Sequence, residues 1–303
     1  MNRRYLMRIL SLFDGISVAQ VALEKAGITY NEYFASEINK DSITVTKDNY
    51  PNTVHIGDVT KIDKSIISNL GKIDLLVGGS PCQGISRSKN GRLNLDDPRS
   101  KLFFEYVRIR DWIIKNNNPD VKFLLENVKP NKETLEIMNE HMGCEATEID
   151  SVLVSAQRRK RLYWTNIYFG DLPEDKGIKI KDIVYDNTYK VFQDERIENT
   201  KTFTKNYVKW DISGKGYGSQ QDRAYYLDGT MCTIPKQQTE SKTSIYLGGD
   251  KYRRSHPIEI ERMQNLPDNY TSIIKSPNKR MGLCGDGWTA DVVAHMFKGL
   301  KVK

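Results

Sequence analysis

The fold is decided by residues 8–27, which read RILSLFDGISVAQVALEKAG. The apolar run over residues 8–13 predicts a strand, and the apolar spacing over residues 17–25 predicts a helix that ends at Gly27. Gly15 lies in the connection, where a residue without a Cβ permits a tight turn. A strand, a tight turn and a helix together form the repeating unit of an α/β sheet.

The same alternation continues to about residue 170. Further strands are predicted at residues 30–36, 54–56, 73–77 and 122–125. Helices are predicted at residues 41–49, 101–116 and 132–142, and the second of these carries Leu102, Tyr106, Ile109 and Ile113 on one face. Repeated units of this kind predict an α/β fold with a Rossmann-like, doubly wound, mostly parallel sheet, which binds ligands at the carboxyl ends of its strands.

The pattern changes near Gly170. Residues 171–250 are rich in Lys, Thr, Tyr, Gly and Gln and lack helical periodicity. They predict a second, smaller, irregular β-rich domain, within which residues 213–221 form a polar, glycine-rich loop. Helices return at residues 257–264 and 291–300. We therefore expect one domain over residues 1–170 plus 283–303, a second over residues 171–250, and a joining segment over residues 251–282.

Composition limits the possible partners and compartments. The chain has 303 residues and a formal net charge of +7, which is compatible with a nucleic-acid partner. It has no apolar run long enough to span a bilayer and no signal peptide, so we expect a protein without a membrane partner, in the cytoplasm. Its four cysteines have no Cys-x-x-Cys spacing and do not cluster with histidines, so we expect neither a metal site nor disulfides. Cys144, Cys232 and Cys284 are interpreted as small hydrophobic residues.

Cys82 stands apart from the other cysteines. It lies in the hexapeptide GSPCQG, residues 79–84, directly after a predicted strand. A cysteine placed there could act as a nucleophile if its thiol ionises, since the thiolate is the reactive form. Arginines nearby in the fold would lower the pKa of Cys82, and the candidates are Arg87, Arg99, Arg159 and Arg161.

Three acidic residues follow other predicted strands. Glu37 ends the second strand, where doubly wound folds often place an acid that binds a ribose diol, although a solvated surface acid is the alternative. Asp58 follows the third strand and could accept a hydrogen bond from an adenine amino group or cap a turn. Glu126 ends the fifth strand in Glu-Asn-Val and could contact a ring nitrogen of a base or form an ion pair.

These motifs, in this order, resemble those of the DNA (cytosine-5) methyltransferases. The match runs from Ile9 to Phe297, and its first motif is similar to that of the de novo eukaryotic-type subgroup and of some bacterial or phage enzymes. The basic run Gln157–Arg161 also matches a family motif. The resemblance implies that Cys82 attacks C6 of cytosine, that Glu126 contacts N3 and that Arg161 holds O2.

The resemblance also implies two sets of binding residues. S-adenosyl-L-methionine is expected to contact Phe13, Gly15, Ile16, Glu37, Asp58, Val59, Pro81, Leu102, Asp286 and Trp288. DNA is expected to contact Gln83, Ser86, Arg87, Arg99 and Arg159. Asp286 departs from the family pattern, which has asparagine at this position, and an aspartate would place a negative charge near the sulfonium.

The implied activity is methyl transfer from S-adenosyl-L-methionine to C5 of a cytosine flipped out of double-stranded DNA, with S-adenosyl-L-homocysteine as product. The first domain would then be catalytic and the second would recognise the target. The 213–221 loop is expected to be one element that reads bases, and a surface loop without that role is the alternative. We expect a monomer on DNA in a bacterial or phage-infected cell, and a cognate restriction endonuclease is a partner that this family allows. The alternatives are an RNA cytosine methyltransferase and a catalytically inactive DNA-binding regulator.

Overall fold

The computed structural model describes residues 7–81, 101–195, 202–209, 223–236 and 242–301. The chain divides into two compact units. The first unit comprises Met1–Ile149, Lys160–Leu172 and Val293–Lys303, and the second comprises Asp150–Arg159 and Pro173–Val292. The domain boundaries inferred above stay a prediction, because they divide the chain by function rather than by packing.

A seven-stranded sheet forms the centre of the first unit. Its strands are β1 (Arg8–Leu12), β2 (Glu32–Ser36), β3 (Val54–His55), β4 (Leu75–Gly79), β5 (Lys122–Asn127), β6 (Thr147–Asp150) and β7 (Lys160–Thr165). They lie in the order β3-β2-β1-β4-β5-β7-β6. The neighbouring pairs from β3 to β5 are parallel, and β7 runs antiparallel to β5.

Helices connect these strands. They are α1 (Val18–Ala26), α2 (Lys40–Asn49), α3 (Lys64–Asn69), α4 (Lys101–Asn116) and α5 (Lys132–Met142). Helix α1 ends at Gly27, whose φ of 65° is in the left-handed region that glycine adopts without strain. The side chains of Asn39 and Asn131 cap α2 and α5 by accepting a hydrogen bond from the first turn.

The core of the first unit lies between the sheet and its helices. Leu10, Leu76 and Leu125, from β1, β4 and β5, are fully buried in one hydrophobic cluster. On α4, the predicted apolar face packs into the same cluster, with Tyr106 and Ile109 fully buried. Burial of these side chains drives the assembly and holds the strand ends in register.

The second unit contains a six-stranded sheet. Its strands are β8 (Val191–Gln193), β9 (Thr202–Phe203), β10 (Tyr207–Lys209), β11 (Arg223–Tyr225), β12 (Ser244–Gly248) and β13 (Lys251–Arg254), in the order β8-β13-β12-β11-β10-β9. The helices that follow are α6 (Pro257–Met263), α7 (Pro277–Asp286) and α8 (Ala290–Phe297). A fully buried ion pair joins Arg253 to Glu259 at 2.8 Å and ties β13 to α6.

The predicted fold class is confirmed, and so is the β-rich character of the second sheet region. The sequence patterns did not predict α3, β6 or α7. Helix α3 has only six residues, too few for a clear period, and β6 buries only Ile149. Within the described residues, no helix is long and apolar enough to cross a membrane.

Candidate active site

The carboxyl ends of the parallel strands form one edge of the first unit's sheet. Phe13 follows β1, Glu37 follows β2 and Asp58 lies three residues beyond β3, while Glu126 lies near the end of β5. Because β1, β2, β3, β4 and β5 are parallel, these positions share one edge, as the sequence predicted. The order of strands reverses between β1 and β4, which is where sheets of this type open a ligand crevice.

The turn after β1 has an unusual backbone. Phe13, Gly15 and Ser17 have φ values of 57°, 58° and 56°, so three alternating residues are left-handed. Two of these are not glycine, and such residues adopt this conformation at a cost that surrounding contacts must offset. The backbone N–H of Gly15 donates to Glu37 Oε2 at 2.8 Å, which joins the turn to the end of β2.

The carboxylate of Glu37 accepts hydrogen bonds from three backbone N–H groups. Besides the bond from Gly15, its Oε1 accepts hydrogen bonds from Ile38 N at 2.8 Å and from Asn39 N at 2.7 Å. These bonds orient the carboxylate at the strand end. Glu37 is therefore more than a solvated surface acid, and its contact with a ribose diol stays a prediction.

Asp14 lies behind this turn and is partly buried. Its carboxylate accepts hydrogen bonds from the hydroxyl groups of Tyr33, at 2.6 Å, and Ser17. Burial raises the pKa of Asp14 from 3.8 to about 6, against the lowering effect of the hydroxyl groups of Ser11, Ser17 and Tyr33. The nearby charge of Glu37 raises it further.

Asp58 caps a short 3-10 helix, Val59–Lys61. Its Oδ1 accepts from the backbone N–H and the hydroxyl of Thr60, both at 2.9 Å. These bonds lower the pKa of Asp58, so the group is a carboxylate at neutral pH. The turn-capping alternative is therefore present in the structure, and contact with adenine stays a prediction.

The remaining cofactor candidates of the first unit differ in exposure. Ile16 and Val59 are buried, Leu102 is partly buried against the core, and Pro81 is exposed. Sequence reasoning missed Ile38, which follows Glu37 and is 71 % exposed. An exposed isoleucine beside the strand-end carboxylate offers an apolar wall for a planar ring, and its place after a strand-end acid was the available signal.

Glu126 and Arg161 form an ion pair at this edge. Arg161 Nε lies 2.9 Å from Glu126 Oε1, and the two side chains are 14 % and 11 % exposed. Strands β5 and β7 bring them together, because Glu126 lies opposite Tyr163 in the antiparallel register. Arg161 Nη1 also donates to the Lys160 carbonyl at 2.8 Å, which restrains the guanidinium. A carboxyl and a guanidinium held side by side can bind adjacent polar atoms of one heterocycle.

A comparison with known protein families identifies the family of this chain. Residues 7–301 match the family model described as C-5 cytosine-specific DNA methylase. The chain belongs to this methylase family. The family is one of S-adenosylmethionine-dependent cytosine-C5 methyltransferases, so the resemblance drawn from the motifs is confirmed.

Individual methylases match over most of the chain. The type II methyltransferase M.NgoPII of Neisseria gonorrhoeae is 26 % identical across 97 % of this chain and 95 % of that protein. M.HhaI of Haemophilus parahaemolyticus, also named a type II methyltransferase, is 28 % identical across 87 % of this chain and 85 % of that protein. The orphan methyltransferase M.Rho11sI of Bacillus phage rho11s is 30 % identical across 80 % of this chain and 50 % of that protein.

Solved structures share the fold of this methylase. The DNMT2 structure from Spodoptera frugiperda has a TM-score of 0.69 and 20 % identity, covering 97 % of this chain and 99 % of that chain. The EhMeth structure from Entamoeba histolytica has a TM-score of 0.73 and 16 % identity, covering 98 % of this chain and 100 % of that chain. At these identities the likeness shows the fold alone.

Several predicted site residues of the methylase lie outside the described residues. They are Cys82, Gln83, Ser86, Arg87, Arg99 and the 213–221 loop. Their roles stay predictions. Among the other cysteines, burial raises the pKa of Cys144 and Cys284, which keeps both thiols protonated. In the part of the chain that the structure describes, no three His, Cys, Asp or Glu side chains could hold a metal ion together.

The other predicted residues lie in the second unit. The guanidinium of Arg159 is buried and donates to the carbonyls of Gly285 and Gly287, at 3.2 Å and 2.8 Å, so Arg159 has an internal contact and its role in DNA binding stays a prediction. Asp286 pairs with Lys236 at 2.8 Å, which offsets the negative charge that distinguishes it from asparagine. Trp288 is 9 % exposed.

Proposed function

We propose that this protein is a DNA (cytosine-5) methyltransferase that acts on a flipped-out cytosine through a covalent bond between Cys82 and C6. The observation that carries the proposal is the Glu126–Arg161 pair, 2.9 Å apart at the carboxyl edge of the sheet. Cytosine presents N3 and O2 side by side, and a paired carboxyl and guanidinium match these two atoms. The family match over residues 7–301 supports the same chemistry.

The residues of the first unit fit S-adenosyl-L-methionine. Glu37 offers carboxylate oxygens at the strand end, Ile38 offers an exposed apolar side chain next to it, and the left-handed turn at Phe13 and Gly15 brings the backbone of β1 to the same edge. The ribose of this cofactor needs a hydrogen-bond acceptor, and its adenine ring needs an apolar wall. Its methionine chain needs close approach of the backbone. When bound, S-adenosyl-L-methionine supplies an electrophilic methyl group.

The reaction divides among three side chains. The thiolate of Cys82 would form an Sγ–C6 bond, and the electron pair of the C5=C6 bond would move towards C5 and N3. A proton held between Glu126 and N3 would neutralise the charge that develops there, while Arg161 would bind O2 and fix the ring. After C5 has accepted the methyl group, its proton would leave to water, the Sγ–C6 bond would break and the C5=C6 bond would re-form.

The target atom cannot be reached within a duplex, so the cytosine must leave the base stack. We assign target recognition to residues 171–250 and phosphate contacts to Ser86, Arg87 and Arg99. The excess of basic residues, 46 Lys and Arg against 39 Asp and Glu, favours a polyanionic partner. We expect a monomer on double-stranded DNA, in the cytoplasm of a bacterial or phage-infected cell, with a cognate restriction endonuclease where the protein acts in a restriction–modification system.

Transfer of labelled methyl groups from S-adenosyl-L-methionine tests this proposal. Plasmid DNA and total RNA are supplied in parallel to the wild-type protein and to Cys82→Ser. We expect label in DNA with the wild type, and background label with Cys82→Ser, whose hydroxyl is a much weaker nucleophile than a thiolate. Cys82→Ser should still bind DNA and S-adenosyl-L-methionine.

Each other outcome selects a different function. Label in RNA but not in DNA would replace the proposal with an RNA cytosine methyltransferase. DNA binding without any labelling by the wild type would indicate an inactive DNA-binding regulator. Full activity of Cys82→Ser would refute the covalent route. Sequencing of methylated cytosines in DNA from cells that express the protein would then define the target site.

A further inference from the structure

Asn127 lies at the end of β5, next to Glu126, and has no role in the mechanism above. Its side chain is 1 % exposed. Its amide Nδ2 donates to both the hydroxyl Oγ of Ser80, at 2.9 Å, and the carbonyl of Ser80, at 3.2 Å. Its Oδ1 accepts from the backbone N–H of Val128 at 2.8 Å. The donors and the acceptor of this amide are therefore all engaged.

Ser80 is the partner that these bonds hold. It follows β4 directly and is 4 % exposed, and the parallel register places Gly79 opposite Glu126. The hydrogen bonds from Asn127 thus join the chain at the end of β4 to the end of β5. The two residues are 47 positions apart in the sequence, so the contact depends on the folded sheet.

Only Pro81 separates Ser80 from Cys82. The pyrrolidine ring fixes φ of Pro81 near −65°, so this connection has little torsional freedom. Cys82 lies outside the described residues. Because Cys82 follows Ser80 by two residues in the chain, the segment that carries the thiol begins at the residue that Asn127 holds. Glu126, which binds the target ring in the proposed function, is the residue directly before Asn127 in the same strand.

We infer that Asn127 is a positioning residue for the Cys82 nucleophile. By holding Ser80, it sets the distance between the thiolate and the cytosine ring bound by Glu126 and Arg161. This inference rests on the proposed function. Misplacement of a reacting group by about 1 Å can slow a reaction about 10²-fold, because few bound complexes then reach the geometry of attack.

The chain offers a matched control in the turn that precedes β5. Asn118 is 3 % exposed, and its Nδ2 donates to the carbonyl of Ile73 at 2.8 Å, just before β4 begins. Asn118→Ala therefore removes the same kind of buried amide–carbonyl bond, but next to the amino ends of β4 and β5 rather than at their carboxyl ends. Both replacements should lower thermal stability, so the two variants separate loss of stability from loss of positioning.

The experiment measures the rate at which each variant is trapped on DNA that contains 5-fluorocytosine. With fluorine at C5, no proton can leave after methyl transfer, so the Sγ–C6 bond persists and the adduct is counted on a denaturing gel. S-adenosyl-L-methionine is the methyl donor. We expect Asn127→Ala to be trapped about 10²-fold more slowly than the wild type at saturating DNA and cofactor, and Asn118→Ala to be trapped at the wild-type rate.

A second variant keeps the test decisive if Asn127→Ala does not fold. Ser80→Ala removes the hydroxyl and keeps the carbonyl, so we expect slower trapping with a smaller loss than for Asn127→Ala, and unchanged dissociation constants for DNA and S-adenosyl-L-methionine. Wild-type trapping rates in both Asn127→Ala and Ser80→Ala would overturn the inference, and so would an equal loss in Asn118→Ala. Failure of the wild type to be trapped would instead refute the proposed function.

Discussion

Asp14 lies in the turn between β1 and α1, where its carboxylate accepts hydrogen bonds from hydroxyl groups. Burial outweighs the hydrogen bonds from Ser17 and Tyr33, so its pKa rises from 3.8 to about 6. Folding therefore favours the protonated form of this acid. Its contribution to stability is fully present below pH 3.8 and is lost as the pH rises through about 6.

Asp14→Asn should remove this dependence. We expect the free energy of unfolding of the wild type to fall relative to that of the variant between about pH 4 and pH 6, by at most about 3 kcal/mol, and to run parallel above that range. Denaturant unfolding of both proteins at several pH values measures the difference. Parallel profiles across the whole range would show that Asp14 titrates alike in the folded and unfolded chains.

Glu126 is the residue whose replacement should affect chemistry most directly among the described side chains. Glu126→Gln keeps the size of the side chain but cannot supply a proton to N3, so we expect the rate of methyl transfer at saturating substrates to fall about 10²-fold or more. Glu148→Gln is the control. Glu148 lies on β6, forms ion pairs with Lys129 and Lys160, and has no proposed role. Equal rates for wild type and Glu126→Gln would remove the assigned role.

Residues that are neighbours in the basic run Gln157–Arg161 have different surroundings in the fold. Arg158, Arg159 and Arg161 are close in sequence, yet Arg158 is exposed, Arg159 is buried against the end of α7, and Arg161 pairs with Glu126. A strand and the loop before it place these side chains in three different surroundings. Three arginines of one basic run are thus exposed to solvent, buried in the second unit and engaged in an ion pair, respectively.

Arg159→Met should destabilise the second unit. It leaves the carbonyls of Gly285 and Gly287 without their charged donor, which costs about 2 kcal/mol or more, whereas Arg158→Met should change the free energy of unfolding by less than about 0.5 kcal/mol. Denaturant midpoints compare the two variants, and DNA affinity is measured on both. A loss of DNA affinity in Arg159→Met at unchanged stability would instead support the DNA contact predicted from the sequence.

The strand ends were the most predictable part of the molecule. Buried parallel strands are continuous apolar runs, so the positions of Glu37 and Glu126 could be predicted from the residues that precede them. The hydrogen bonds between Asn127 and Ser80, and between Arg159 and α7, could not, because they join residues 47 and more than 120 positions apart. The left-handed Phe13 and Ser17 were also unforeseen, since neither residue type signals a positive φ.

At the scale of the whole molecule, the cofactor site should appear as a linked change in stability. A ligand that binds only the folded state stabilises it by about 2.7 kcal/mol at a concentration 100 times its dissociation constant. We therefore expect S-adenosyl-L-methionine to raise the melting temperature of the wild type. Glu37→Gln should largely abolish this shift. Both carboxylate oxygens accept backbone hydrogen bonds, Oε2 from Gly15 and Oε1 from Ile38 and Asn39, and the amide nitrogen that replaces one oxygen accepts none.

Asp175→Asn is the matched control for this measurement. Asp175 accepts a hydrogen bond at 2.8 Å from the backbone N–H of Gly177, which has a φ of 64°, so the variant disturbs the same kind of carboxylate–glycine bond in the second unit. Its thermal shift with S-adenosyl-L-methionine should equal that of the wild type. A full shift in Glu37→Gln would place the ribose away from β2, and an equal loss in both variants would trace the effect to general destabilisation rather than to the cofactor.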